Sequence, residues 1–207
     1  MARPAPIEEN RPVTYTDLPF EELLDAIAAE TPAPGGGSSA AFTTEMAASL
    51  AAMTARFARG HWDGAAGALA QAETLRHRAA PLAEEDAVAY ENVLTAMRMP
   101  KDLEPEVRNT LIGETLSRAA DAPLEIAECA ADVAALAAEI AIRGNQNVRG
   151  DAAAAAVLAA ASTRVAAHLV EVNLATTEAD ERIERVRSLT RSANGAARRA
   201  VGAAAEH

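Results

Sequence analysis

Asp86 and Tyr90 stand one helical turn apart in a stretch whose inward positions are otherwise apolar. The run Leu69, Ala72, Leu75, Ala79, Leu82, Asp86, Ala89, Val93 and Ala96 falls close to one stripe of a helical wheel, and Asp86 is its only acid. A carboxylate so placed either holds a proton and steadies a positive charge or closes an interhelical ion pair. Tyr90, one turn on, reaches the same acid or the same ligand. A second acid, Asp151, closes the loop Arg143-Gly144-Asn145-Gln146-Asn147-Val148-Arg149-Gly150-Asp151. As a helix N-cap it has a structural reading as well. The amides of Asn145, Gln146 and Asn147 donate and accept at once, as recognition of a heterocycle requires.

The segment Thr31-Pro32-Ala33-Pro34-Gly35-Gly36-Gly37-Ser38 is the third unusual feature. Its prolines restrict the backbone and its glycines permit close approach. Ser38 is the expected cap of a helix running to about Arg59, with free N–H groups at its start. Such a turn is either a tight corner between helices or the floor of a binding site.

These residues must be positioned by helices. Alanine supplies 55 of the 207 residues and aromatics only 3%, so helices can approach closely with little bulk between them. The expected fold is all-α, an antiparallel multi-helix bundle with long, proline-kinked helices, in a single domain with a loose arm over residues 1–15. A charge of −11 without a basic tract argues against a nucleic-acid partner, and every long apolar run is interrupted by polar residues, against a membrane one. The N-terminus lacks the apolar run of a signal peptide, so a cytoplasmic location is expected. Cys129, the sole cysteine, reads as a core residue, and no spacing suggests a metal site.

In chain order, a short helix is expected from Thr16 or Asp17 to about Glu30, then the buried helix ending near Arg59. Glu45 inside that buried run either pairs across helices, sits at the helix surface, or faces a ligand cavity. Helical regions follow over 65–97, bent or divided at Pro81, and 106–142, bent at Pro123. Packed together, the two bent regions would leave a gap at their bends. An alanine-rich helix over 152–174 belongs at the bundle centre or at a subunit interface. An outer helix over 177–200 should fray after Gly202. His168 reads as structural or surface-lying.

The proline–glycine loop, Asp86-Ala87-Val88-Ala89-Tyr90, Met99-Pro100-Lys101, Pro123-Leu124, and Gly144-Asn145-Gln146-Asn147 with Asp151 and Asn173 occur in an order that resembles the formiminotransferase-cyclodeaminase C-terminal domain family, over about residues 17–195. The resemblance implies a helical homodimer that takes a tetrahydrofolate derivative as substrate and needs no metal or redox cofactor. It implies either a methenyltetrahydrofolate cyclohydrolase, which opens the 5,10-methenyl ring to 10-formyltetrahydrofolate, or a formiminotetrahydrofolate cyclodeaminase. A divergent binder of a folate-like ligand is a further reading. The expectation placed first is the cyclohydrolase. On that reading Asp86 and Asp151 are the catalytic carboxylates, and Tyr90 or Lys101 delivers a proton. Gly35, Gly36, Gly37 and Ser38 present N–H groups, and Asn145, Asn147 and Asn173 read the pterin. Arg56 and Arg59 meet the glutamate tail.

One stretch departs from the family pattern. Active members carry an asparagine and then a Gly-Lys-Lys-x-Tyr-like segment after the first buried helix. This chain has Arg56-Phe57-Ala58-Arg59-Gly60-His61-Trp62-Asp63-Gly64, with the glycine kept and the lysines and tyrosine absent. Either Arg59 and His61 stand in for the missing lysines, with different proton chemistry, or the substrate has changed.

Overall fold

The computed structural model describes residues 14–100, 104–175 and 179–205. Among them every regular element is helical: α1 (Phe20–Ala28), α2 (Gly36–Phe57), α3 (Ala65–Ala79), α4 (Leu82–Met97), α5 (Pro105–Ala119), α6 (Asp121–Arg143), α7 (Arg149–Asn173) and α8 (Glu181–Ala205). Short 3-10 turns precede α1 and α7, at Tyr15–Asp17 and Gln146–Val148. The expected first helix starts late because Pro19 holds Leu18 extended and becomes the cap of α1. Most of the expected N-terminal arm, residues 1–13, lies outside the described residues.

α2, α6 and α7 make the centre, with α8 laid over α6 and α7, α3 over α2 and α6, and α4 and α5 at one end. The core is alanine packed on alanine: Ala47, Ala48, Ala51 and Ala55 of α2 and Ala155, Ala156 and Ala159 of α7 are fully buried. The largest fully buried side chains are Ile126 and Leu174, so helix axes come as close as small residues allow, about 8 Å. α7 with its preceding turn is apolar enough to cross a membrane by composition, yet 56% of its most apolar window is buried in the bundle, as suits a core helix.

The bends at Pro81 and Pro123 are both present, each as a break between two helices. Pro123 has no N–H to give to the carbonyl of Ala119, four residues back. That carbonyl accepts instead from Nδ2 of Asn173 at 3.0 Å, which ties the end of α7 to the α5–α6 junction. The bends do not share one gap: a cavity of about 1040 Å³ opens between α4 and α5 beside Pro81, while Pro123 lines a separate, smaller cavity.

Four further expectations need correction. Ser38 does not cap α2. Gly35 does, in extended conformation, and Ser38 is the third helical residue. Asp151 is likewise the third residue of α7, exposed, with Val148 at the cap. It sits well for the helix dipole but closes no capping hydrogen bond. α2 is not buried all round: Phe42, Met46, Leu50, Met53 and Phe57 form an open stripe on one side. α8 does not fray at Gly202, because Arg149 Nη1 donates to the carbonyl of Ala203 at 3.1 Å and Ala204 packs on the core.

Candidate functional site

Three elements converge on Asp86. α4 carries it, the Pro32–Gly37 turn and first turn of α2 lie beneath it, and the ends of α5 and α7 close the far side. The carboxylate accepts from the backbone N–H of Ser38 and, at 3.4 Å, from its hydroxyl. The hydroxyl has a better acceptor in the carbonyl of Ala83, at 2.8 Å. The acid therefore caps another helix. It fills the place where a Cβ on Gly37 would be, 2.0 Å from Oδ1. This explains Gly37 by space alone, since its backbone is ordinary helix. By contrast Gly60, in the turn after α2, has φ +83°, a conformation only glycine takes without strain.

Beside Asp86 lies a cavity of about 310 Å³, walled by Pro32, Tyr90, Pro123, Leu169 and Asn173. No arginine or lysine lines it among the described residues. Burial pushes the Asp86 carboxyl above its ordinary range, and the two hydrogen bonds from Ser38 oppose that rise without cancelling it. A carboxyl raised by burial, at a cavity with no cation of its own, can hold a proton or receive a positive ligand group.

The structure thus brings Gly35, Gly36, Gly37, Ser38, Asp86, Tyr90 and Asn173 to one place. The remaining candidates gather at the opposite end of α2, about 30 Å away by helical rise. There Asn145 donates through Nδ2 to the carbonyl of Phe57 at 3.1 Å and accepts from the N–H of Asn147 at 3.0 Å. It ends α2 and shapes the turn before α7, and both halves of its amide are in use. Asn147, Arg59, His61 and Asp151 are exposed at that end. Arg56 is paired with Glu73 of α3. Glu45 is half-buried and faces Arg76 at 3.9 Å, the pairing expected of it across helices. Lys101 lies outside the described residues.

Sequence reading did not find the contact between Asp86 and the start of α2, 48 residues apart. The glycine run and the lone acid on an apolar stripe were both visible; nothing local says that they meet. Nor did it find that Asn173 completes a helix end.

The fold and site define an all-α bundle with a half-buried acid over a glycine-rich helix start, beside a cavity walled by Pro32 and Pro123. The chain belongs to the formiminotransferase-cyclodeaminase family, whose model matches residues 19–192. It is 33% identical over 162 residues to a methenyltetrahydrofolate cyclohydrolase of Methylorubrum extorquens, covering 74% of this chain and 78% of that one. It is 32% identical over 146 residues to a formimidoyltransferase-cyclodeaminase of Sus scrofa, covering 67% of this chain but only 27% of the pig protein. The crystal structure of a formiminotetrahydrofolate cyclodeaminase from Thermotoga maritima superposes with a TM-score of 0.79 over 92% of this chain and 97% of that one, at 24% identity, and so speaks to the fold.

Proposed function

We propose that the chain is an enzyme acting on a one-carbon-substituted tetrahydrofolate, making or breaking a bond at the amidine carbon between N5 and N10. The observation that carries this reading is the half-buried Asp86 carboxyl at a cavity that no arginine or lysine lines among the described residues. A positively charged amidinium is the complement such a site lacks. Family membership supports a folate ligand, and the named relatives cover both directions of this chemistry.

In the cyclodeaminase direction, N10 of 5-formiminotetrahydrofolate attacks the carbon of the protonated formimino group, an amidinium that already carries the positive charge. The N10 proton passes to the leaving amine, and ammonia departs to leave the 5,10-methenyl cation. In the cyclohydrolase direction, water adds to that same carbon, the bond to N5 breaks, N5 takes a proton, and one proton is released with 10-formyltetrahydrofolate. Both pass through a tetrahedral carbon, and both need a group that accepts a proton and returns it. Asp86 fills that role, with Tyr90 beside it as a second hydroxyl within reach of the ligand.

The cyclohydrolase reading has the Methylorubrum relative behind it and the cyclodeaminase reading the Sus scrofa one, and these relatives do not choose between the two. The cyclodeaminase reading keeps equal standing on chemistry. One assay separates them: purified protein is supplied with 5,10-methenyltetrahydrofolate, whose near-ultraviolet absorbance is lost on ring opening, and with 5-formiminotetrahydrofolate, from which the same absorbance appears with ammonia. Turnover of either supports the reading and names the direction. Turnover of neither at micromolar enzyme would refute it.

A further inference from the structure

α7 and α8 pack side by side in opposite directions, and a hollow of about 350 Å³ opens in the groove between them. Its polar walls are Arg164, His168 and Glu171 from α7 and Arg187, Thr190 and Arg191 from α8. The pair between Arg187 Nε and Glu171, at 2.8 Å, sets the register. One turn further along each helix, His168 and then Arg164 come up beside Arg191. The side chains of Arg164 and His168 are exposed and make no hydrogen bond or ion pair among the described residues. Thr190 adds a hydroxyl oxygen that is buried and unpartnered among those residues, which a folded protein rarely leaves so.

This arrangement costs stability and returns none within the chain. Basic groups stand at i,i+4 twice, Arg164 with His168 and Arg187 with Arg191, where like charges repel. The protein carries −11 overall, so carboxylates to neutralise them are plentiful. Yet α7 has no acid from Ala152 to Val170, and α8 has none from Arg185 to Ala205. Arg78, Arg143, Arg182 and Arg185 are by contrast each paired with a carboxylate.

We infer that the hollow is a binding site for a small phosphate-bearing anion, gripped by Arg164, His168 and Arg191, which exchanges with Glu171 for Arg187. Arginine forks match phosphate oxygens two at a time and stay charged at every physiological pH. Arg187 gives Nε to Glu171 and Arg191 gives Nη2 to Glu184, so each keeps other guanidinium donors for a ligand. Size and charge select that ligand. The hollow has the volume of a small-ligand site, and a chain at −11 repels a long polyanion while this one place attracts a short one. The site is distinct from the Asp86 cavity: α7 gives Leu169, Val172 and Asn173 to that cavity, and His168 and Glu171 to this one.

Calorimetric titration of the full chain at low salt, with no folate present, tests the site independently of the proposed function. The probes are pyrophosphate, inorganic phosphate and a phosphate monoester, and the tightest of the three names the form recognised. One should bind per chain with a Kd below about 1 mM. Arg164→Ala and Arg191→Ala, both at exposed positions, should each weaken it about tenfold, the weight of a charge-assisted hydrogen bond. Arg199→Ala makes the same charge change on α8 outside the hollow and should weaken binding less than about twofold. Glu171→Gln removes the internal competitor and should tighten binding more than Glu181→Gln, which lies outside. No binding of any probe at about 10 mM, or equal losses from Arg164→Ala and Arg199→Ala, overturns the inference. A single-stranded oligonucleotide that binds more tightly than all three probes at the same salt overturns the small-ligand assignment.

Discussion

A Cβ placed on Gly37 would lie 2.0 Å from Oδ1 of Asp86 and 2.3 Å from its Cγ, so the helix start and the acid occupy each other's space. The two are one unit: the glycine makes room, and the N–H of Ser38 holds the carboxylate there. Gly37→Ala must push the carboxylate out of its seat, because Gly37 and Ser38 are themselves buried and the carboxylate occupies the place of the new Cβ. We expect a loss of about 1–3 kcal/mol, as for overpacking, with activity falling further than stability. In an Asp86→Ala background the same change should cost less, since the obstructing carboxyl is gone. Urea unfolding of the four proteins in a double-mutant cycle measures that coupling, and strict additivity would argue against the packing account.

Asp86→Asn keeps the shape and an acceptor for the Ser38 N–H but removes the proton chemistry. The expected fall in kcat is about 10²- to 10⁴-fold, the usual weight of a positioned acid or base. Stability should move the other way. The Asp86 carboxyl is raised in the folded protein, so below the ordinary aspartate range both states are protonated and folding carries no penalty from this group. As pH rises through that range the unfolded chain ionises first, and stability is lost until the folded group ionises too. Asp86→Asn should therefore gain on the unmodified protein as pH rises through the ordinary aspartate range, and the gain should level off once the folded carboxyl has ionised, read from urea midpoints across a pH series.

Helix content and the two bends were legible because alanine, the 3.6-residue stripe and the prolines act locally. The partners of single polar residues were not. Asp151 has the chemistry of an N-cap, but the backbone turns helical two residues earlier, at Arg149, after a 3-10 turn that Asn145 organises. Asn173 looks like a ligand-reading amide until Pro123 is seen to orphan the carbonyl of Ala119, a need created 50 residues upstream. Local patterns report which face of a helix is apolar. Which far-off carbonyl lacks a donor is settled only when helices meet.

Thr44 and Ser162 join α2 to α7 inside the alanine core. Their hydroxyls lie 2.6 Å apart, and each also reaches the carbonyl of Ala40, at 2.9 Å and 2.6 Å. Ser162→Ala removes one of these bonds and leaves Thr44 its own, so the expected cost is about 1 kcal/mol. Ser162→Leu should cost about 1–3 kcal/mol, because helices packed on alanine have no room for a branched side chain. Chemical denaturation gives both numbers, and a tolerated leucine would mean that α2 and α7 are not closely packed there.

Cys129 is the last group whose chemistry the fold decides. It is fully buried on α6, its thiol donates to the carbonyl of Leu75 at 3.5 Å, and burial pushes its pKa up to about 11. The thiolate is the reactive form, so at pH 8 the folded protein should leave an aromatic disulfide reagent unreacted. One thiol per chain should appear at the rate of unfolding, and at once in guanidinium. Above the ordinary thiol value near 9 the unfolded chain ionises before the folded one does, so folding stability should decline from about pH 9 to pH 11. Cys129→Ala removes the titrating group and should flatten that decline. Rapid labelling of the folded protein at pH 8 would instead place the thiol at an accessible surface.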